Sequence, residues 1–281
     1  MYFSSINTIV CRGMAFLLPI AICTSCQQDE TAIDDPAKPD KAVNFIPAKN
    51  KKFIYKIAGE DGSAGTATQN ISGSKDSSGI TVYNLHSVVQ ASGQSITMDN
   101  KIFDLNGKTY TQIKVPDAWY QYIALLDQMP NVKVTKTELL GYPAYMVMQN
   151  ALKNGSTVTT GGPSTQVQLV EYTNKGEPGS MRQEIEQLSG SGKVETVTVP
   201  AGSFVCNKFS YAVNTKIIVK AGSREETAGG YQEITVWMAH GIGMVKQEST
   251  GTLVSVILLP TGEIKKIITN TASITTLQKV E

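Results

Sequence analysis

From Lys51 onward, apolar and polar residues alternate over runs of five to ten positions, and clusters of Gly, Asn, Ser and Asp break the runs. Successive side chains of a strand leave on opposite faces, so this period of two predicts half-buried antiparallel strands. Residues 53–57, 80–88, 95–98, 108–115 and 194–199 are such runs, and Asn106-Gly107, Asn154-Gly155 and Thr261-Gly262 supply hairpin turn chemistry between them. One segment departs from the period. After Pro116 and Asp117, the residues Trp119, Tyr122, Ile123, Leu126 and Met129 recur at three- and four-residue spacing as far as Pro130, which predicts an amphipathic helix over 117–129. Its apolar stripe needs a surface, and the apolar face of a twisted antiparallel sheet is the large one available. The polar stretch 150–166 and the segment 174–179 read as surface loops, and neither divides the chain. The expectation is one α+β, mainly antiparallel β domain over 46–281, a curved sheet or half-barrel with the helix on its concave face.

The first residues follow another rule. Arg12 is the one charge among residues 1–12, and an apolar run of nine from Met14 to Ile22 follows, too short to cross a bilayer. It ends at Cys23-Thr24-Ser25-Cys26, similar to the lipobox of bacterial lipoproteins, which signal peptidase II cleaves before the modified cysteine. Cys23 stands where that motif usually has Leu. Residues 1–25 are thus read as a lipoprotein signal peptide with lipid attachment at Cys26, the alternative being an ordinary cleaved secretory signal. Residues 26–45 are read as a tether. Its stretch 27–41 contains Pro36 and Pro39 and almost no apolar side chains, too few to offset the entropy of ordering. The acids Asp29, Glu30, Asp34, Asp35 and Asp40 resemble signals that send Bacteroidetes lipoproteins to the outer face of the outer membrane; they would equally keep a linker solvated. The membrane is therefore an expected partner through the anchor, and the outer membrane of a Gram-negative bacterium the expected location.

Composition narrows the chemistry. Formal net charge is +1, and no basic cluster suggests nucleic-acid binding. Of four cysteines, Cys11, Cys23 and Cys26 lie in the signal region, which leaves Cys206 alone in the folded part and excludes an internal disulfide there. Stability must come from a core, which about 235 residues readily supply.

In the C-terminal half, Val199-Pro200-Ala201-Gly202-Ser203-Phe204-Val205-Cys206 is followed by Trp237-Met238-Ala239-His240-Gly241-Ile242-Gly243-Met244-Val245-Lys246. The pair resembles the TapB-like family of exported bacterial lipoproteins, whose members carry Val-Pro-Ala-Gly-Thr-Phe-x-Cys and then Trp-Tyr-Ala-Pro-Gly-Val-Gly-Leu-Val-Lys on neighbouring strands. The likeness covers residues 194–250, with Met238 in place of Tyr and His240 in place of Pro. It implies a half-barrel of antiparallel strands and brings no catalytic residues.

Candidate reactive groups are sparse. His86 and His240 lack metal-ligand spacing, so no metal is expected, and no cofactor either. Ser189-Gly190-Ser191-Gly192-Lys193 lacks the first Gly and the final Ser or Thr of a phosphate loop and reads as a hairpin turn. Glu184 and Glu186 share one strand face, as a solvated pair commonly does. Cys206 in an apolar strand reads as a small buried hydrophobe. Trp119, Tyr122, Ile123 and Leu126, with Tyr120, Tyr142, Tyr145, Met146 and Met148 close in sequence, are the candidate lining of a ligand pocket, although core packing accounts for them equally. The expected function is a non-enzymatic envelope lipoprotein with a binding or structural role, with no catalytic residue. The alternative is a carrier of a hydrophobic small molecule or lipid in a half-barrel cavity. A filled polar interior favours the first and an open apolar cavity the second.

Overall fold

The structure is a computed structural model that describes residues 43–91, 93–152, 157–160, 164–258 and 263–281. The signal peptide, Cys26 and most of the tether lie outside the described residues, as do Asn154-Gly155 and Thr261-Gly262. The strands are β1 (Lys52–Gly59), β2 (Ala64–Ser77), β3 (Ile80–Ala91), β4 (Gln94–Leu105), β5 (Lys108–Ile113), β6 (Val132–Leu140), β7 (Ala144–Gln149), β8 (Thr157–Thr160), β9 (Thr165–Asn174), β10 (Glu177–Val199), β11 (Gly202–Ala221), β12 (Arg224–Ala239), β13 (Gly243–Leu258) and β14 (Ile264–Val280). The helix α1 (Asp117–Gln128) follows β5.

All fourteen strands belong to one antiparallel curved sheet in the order β11-β12-β13-β14-β1-β2-β3-β4-β5-β7-β8-β10-β9-β6, and β10 also pairs with β11. This is not a sealed barrel. Along the seam between β7 and β10 the link is β8, which holds each neighbour through two residue pairs.

The β10–β11 hairpin organises the interior because it is long, 23 and 20 residues, where strands usually have about 3–10. It passes two apolar cores. The first gathers Phe53, Tyr55, Val89, Met146, Phe209, Val236 and Leu277 from β1, β3, β7, β11, β12 and β14. The second gathers Trp119, Tyr122 and Leu126 of α1 with Tyr172, Met181, Val219 and Val256. Phe209, Tyr211 and Val213 around the first core, and Ile217 and Val219 in the second, are odd-numbered residues of one unbroken stretch of β11, so they share a face. The helix therefore lies on the enclosed, concave side, as its stripe predicts. It starts after Pro116 with Asp117 in its first turn and stops at Met129, which is extended because Pro130 disfavours a helical residue before it.

Three local expectations change. Residues 189–193 are no hairpin turn but the middle of β10, where the register shifts between Leu188 and Ser191. A Cβ on Gly190 would stand 1.6 Å from the Ser210 carbonyl oxygen, so glycine here permits a close crossing of strands rather than a chain reversal. The segment 174–179 is a two-residue turn, Lys175-Gly176, whose flanks continue β9 and β10. The stretch 150–166 is not wholly a surface loop either, since it contains β8 and Asn150 and Gln166 are buried.

The entry to the domain is fixed by Phe45. Its ring is 0 % exposed and meets Phe209 edge-on at 5.9 Å and His240 at 5.1 Å. Its backbone N–H donates to Thr109 Oγ1, whose hydroxyl donates to Asn150 Oδ1, and the backbone N–H of Gly241 donates to the Asn44 carbonyl.

Candidate functional site

Between the two cores the sheet forks. Asn106 and Gly107 have φ of 52° and 71°, a two-residue turn of the type that matches strand twist, so the flanking pair Leu105–Lys108 is hydrogen-bonded across β4 and β5. Alternation then aims the backbone of Phe103, Asp99 and Thr97 towards β5, and that of Tyr110 and Lys114 towards β4. Pairing nevertheless stops at Ile102–Thr111. Beyond it β5 stays with β7 as far as Ile113, and the chain turns off through Lys114, Val115 and Pro116 into α1.

A cavity of about 340 Å³ occupies the fork. Its apolar wall includes Ile96, Met98, Ile113, Met146, Val213 and Ile234, all aimed inward by strand alternation. Thr97, Asp99 and Lys114 line it too; alternation along β4 sends the Thr97 and Asp99 side chains to the outer face, so these two meet the cavity by their main chain. Asp99 Oδ1 lies 2.8 Å from Nδ1 of His86 across the outer face, which fixes this arm of the fork from behind.

Polar side chains reach the cavity from the long hairpin. Gln187, 8 % exposed, pairs with Val213 just before the β10 register shift, and its amide nitrogen has no hydrogen-bond partner among the described residues. A buried donor without an acceptor costs about 1–3 kcal/mol, and native structures contain few. Gln166 joins the wall from β9, and Tyr142 from the segment before β7, where the Gln168 amide donates to the Tyr142 hydroxyl oxygen at 2.8 Å. Burial pushes the Tyr142 phenol above its ordinary pKa, so it stays neutral.

The four residues suggested by helical spacing sit elsewhere. Trp119, Tyr122 and Leu126 are 2 %, 5 % and 1 % exposed in the second core, and Ile123 packs against it. The helix meets the cavity through Pro116 and Asp117 at its start. Of their sequence neighbours, Met146 lines the cavity, Met148 belongs to the first core and Tyr120 is exposed. Tyr145 packs outside with Phe103 and Tyr110. The glutamines escaped the sequence pattern because residues of this type usually face water; the signal that could have found them is parity, since Met181, Gln183, Ile185 and Gln187 alternate as one face.

A family model described as DUF3108-like matches residues 63–259, most of the folded chain. The chain belongs to the DUF3108-like family. The match extends far upstream of the segment that resembles TapB-like proteins, and that narrower name is not the one the model carries. The fold is also similar to a protein from Bacteroides fragilis described as exported with a YmcC-like fold, at 16 % identity and TM-score 0.44, covering 85 % of this chain and 99 % of that one. A protein from Parabacteroides distasonis described as a lipoprotein gives 18 % identity and TM-score 0.45, covering 86 % and 100 %. No curated protein matches.

In this DUF3108-like chain the Trp237–Lys246 motif has a packing role. The Trp237 ring has the Lys208 and Lys246 ammonium groups 4.7 and 4.8 Å from its centre, and its indole N–H donates to Glu195 Oε1 at 2.6 Å. Hydrogen bonds from Lys193 and then from Trp237 hold the Glu195 carboxyl down to about 2. Within the motif, His240 Nε2 lies 2.6 Å from the Asn150 carbonyl oxygen. Glu184 and Glu186 are tied down in a shallow outer depression, Glu184 by Arg182 at 2.7 Å and Glu186 by the Asn214 amide at 3.2 Å.

Cys206 is 0 % exposed, and burial pushes its thiol up to about 12. Thiolate, the reactive form, is then scarce at neutral pH. Native protein should therefore react slowly with a thiol reagent until denaturant is added. Prompt stoichiometric labelling without denaturant would show an open thiol instead.

Proposed function

We propose that this protein is a non-enzymatic lipoprotein, anchored by acyl chains on Cys26 at the outer membrane of a Gram-negative bacterium, that binds a small and mostly apolar molecule in the fork between β4 and β5. The observation that carries this reading is the cavity with Gln187 in its wall. An interior that only holds the fold together closes around its own side chains to crystal-like density and pairs its buried donors. Here about 340 Å³ stays open beside an unpartnered amide. That volume falls within the range of ligand pockets, about 300–1,000 Å³, at its small end. The apolar run Met14–Ile22 followed by Cys26 supports export and anchoring, and the segment 194–250 supports kinship with the TapB-like lipoproteins.

The test uses the chain from Gln27 to Glu281, made without its acyl groups, and the neutral dye N-phenyl-1-naphthylamine, whose emission rises in apolar surroundings. Wild type should show saturable binding. Val213→Trp, which fills the cavity from β11, should reduce it at least about tenfold, a difference of 1.4 kcal/mol, while circular dichroism stays that of the wild type. Equal binding by a folded Val213→Trp protein would remove the cavity as the site.

A further inference from the structure

We propose that the ligand of the forked cavity is a short extended peptide, held as an added strand between β4 and the departing end of β5. The inference rests on reading the cavity as a ligand site and names what fills it. Five consecutive residues of β4, 96–100, line the cavity, and so do five of the other arm, 113–117. A side-chain pocket touches alternate residues of a strand; contact with consecutive ones means that the strand is met along its edge. On β4 the edge groups are the N–H and C=O of Thr97 and Asp99, aimed into the fork by the register of the β4–β5 turn. On the facing arm they are those of Lys114. Among the described residues no main-chain bond joins Asp99 to Lys114, which would face each other two residues beyond Lys101 and Gln112 had the ladder continued.

An open edge is a template for another strand, and adding one satisfies donors and acceptors alternately on both sides. Gln187 supplies an independent indication of the same chemistry. It is buried, lines the cavity, and lacks an acceptor for its amide nitrogen, which a ligand carbonyl would provide. The five β4 residues extend over roughly 16 Å at about 3.3 Å each, so a guest of three to five residues spans the edge. The inward Ile96, Met98, Met146 and Ile234 would receive every other guest side chain.

The test titrates the same unacylated chain, 27–281, with N-acetyl-Val-Ala-Val-amide and with its counterpart methylated on each backbone nitrogen, by calorimetry and by amide resonances. The parent peptide should bind and shift the backbone amides of Thr97, Asp99 and Lys114, and the methylated peptide should bind at least about tenfold more weakly. Gln187→Leu should weaken the parent peptide by a similar factor. Thr97→Pro should do the same; it removes one edge donor, and proline is tolerated on a strand edge whose N–H is unpaired. Equal affinity for the methylated peptide overturns the proposal. If neither peptide binds while N-phenyl-1-naphthylamine does, strand addition is refuted and the cavity reading stands; if none of the three binds, both fall.

Discussion

Trp119→Ala should destabilise the protein by about 3–5 kcal/mol, the range for removing a large aromatic side chain from a core. Trp119 is 2 % exposed and belongs to the cluster that joins α1 to Tyr172, Met181, Val219 and Val256. A domain of this kind has about 5–15 kcal/mol in total, so the loss should lower the urea midpoint strongly. The neighbouring Tyr120 is 53 % exposed, and Tyr120→Ala should stay within about 0.5 kcal/mol. A loss below about 1 kcal/mol for Trp119→Ala would mean that the ring is not core and that the helix stripe serves a partner instead.

Cys26→Ala should move the full-length protein from the membrane pellet to the soluble fraction. Among the described residues no helix is long and apolar enough to cross a membrane, and the proposal places attachment on acylation at Cys26. At about 0.8 kcal/mol per buried methylene one chain holds only marginally, whereas several chains on Cys26 would hold firmly. Fractionation on the same day as an unaltered control checks this, and unchanged pelleting of the variant would show that something other than Cys26 attaches the protein.

Local pattern made much of this fold readable. Alternation located strands at 53–57 and 80–88 and most of the one expected over 108–115, which ends at Ile113; the three-and-four spacing located α1 to within a residue, and Asn106-Gly107 is the turn its composition suggests. Misreadings came where glycine and serine had more than one use. Ser189-Gly190-Ser191-Gly192 carries turn chemistry, yet β11 crosses so closely at Ser210 that glycine is needed there for contact, and the strand continues.

The candidate site was less legible, for a different reason. Whether β4 and β5 stay paired beyond Ile102 depends on where α1 must begin to reach the second core, a relation between distant segments that no window of sequence contains. The aromatic stripe drew attention to the helix, whereas the unfilled space lies one step before it, at residues 113–117. Gln187 looked like any other polar residue until its parity with Met181 and Ile185 placed it inside.

The most direct measurement follows the side-chain amide resonance of Gln187 while N-phenyl-1-naphthylamine is added to the chain 27–281. That amide is buried in the cavity wall without an acceptor, so occupation of the fork must change its surroundings. The prediction is a saturable shift of the Gln187 signal with the same midpoint as the dye fluorescence, and its disappearance in Val213→Trp. A Gln187 signal that stays in place while the dye saturates would contradict the account.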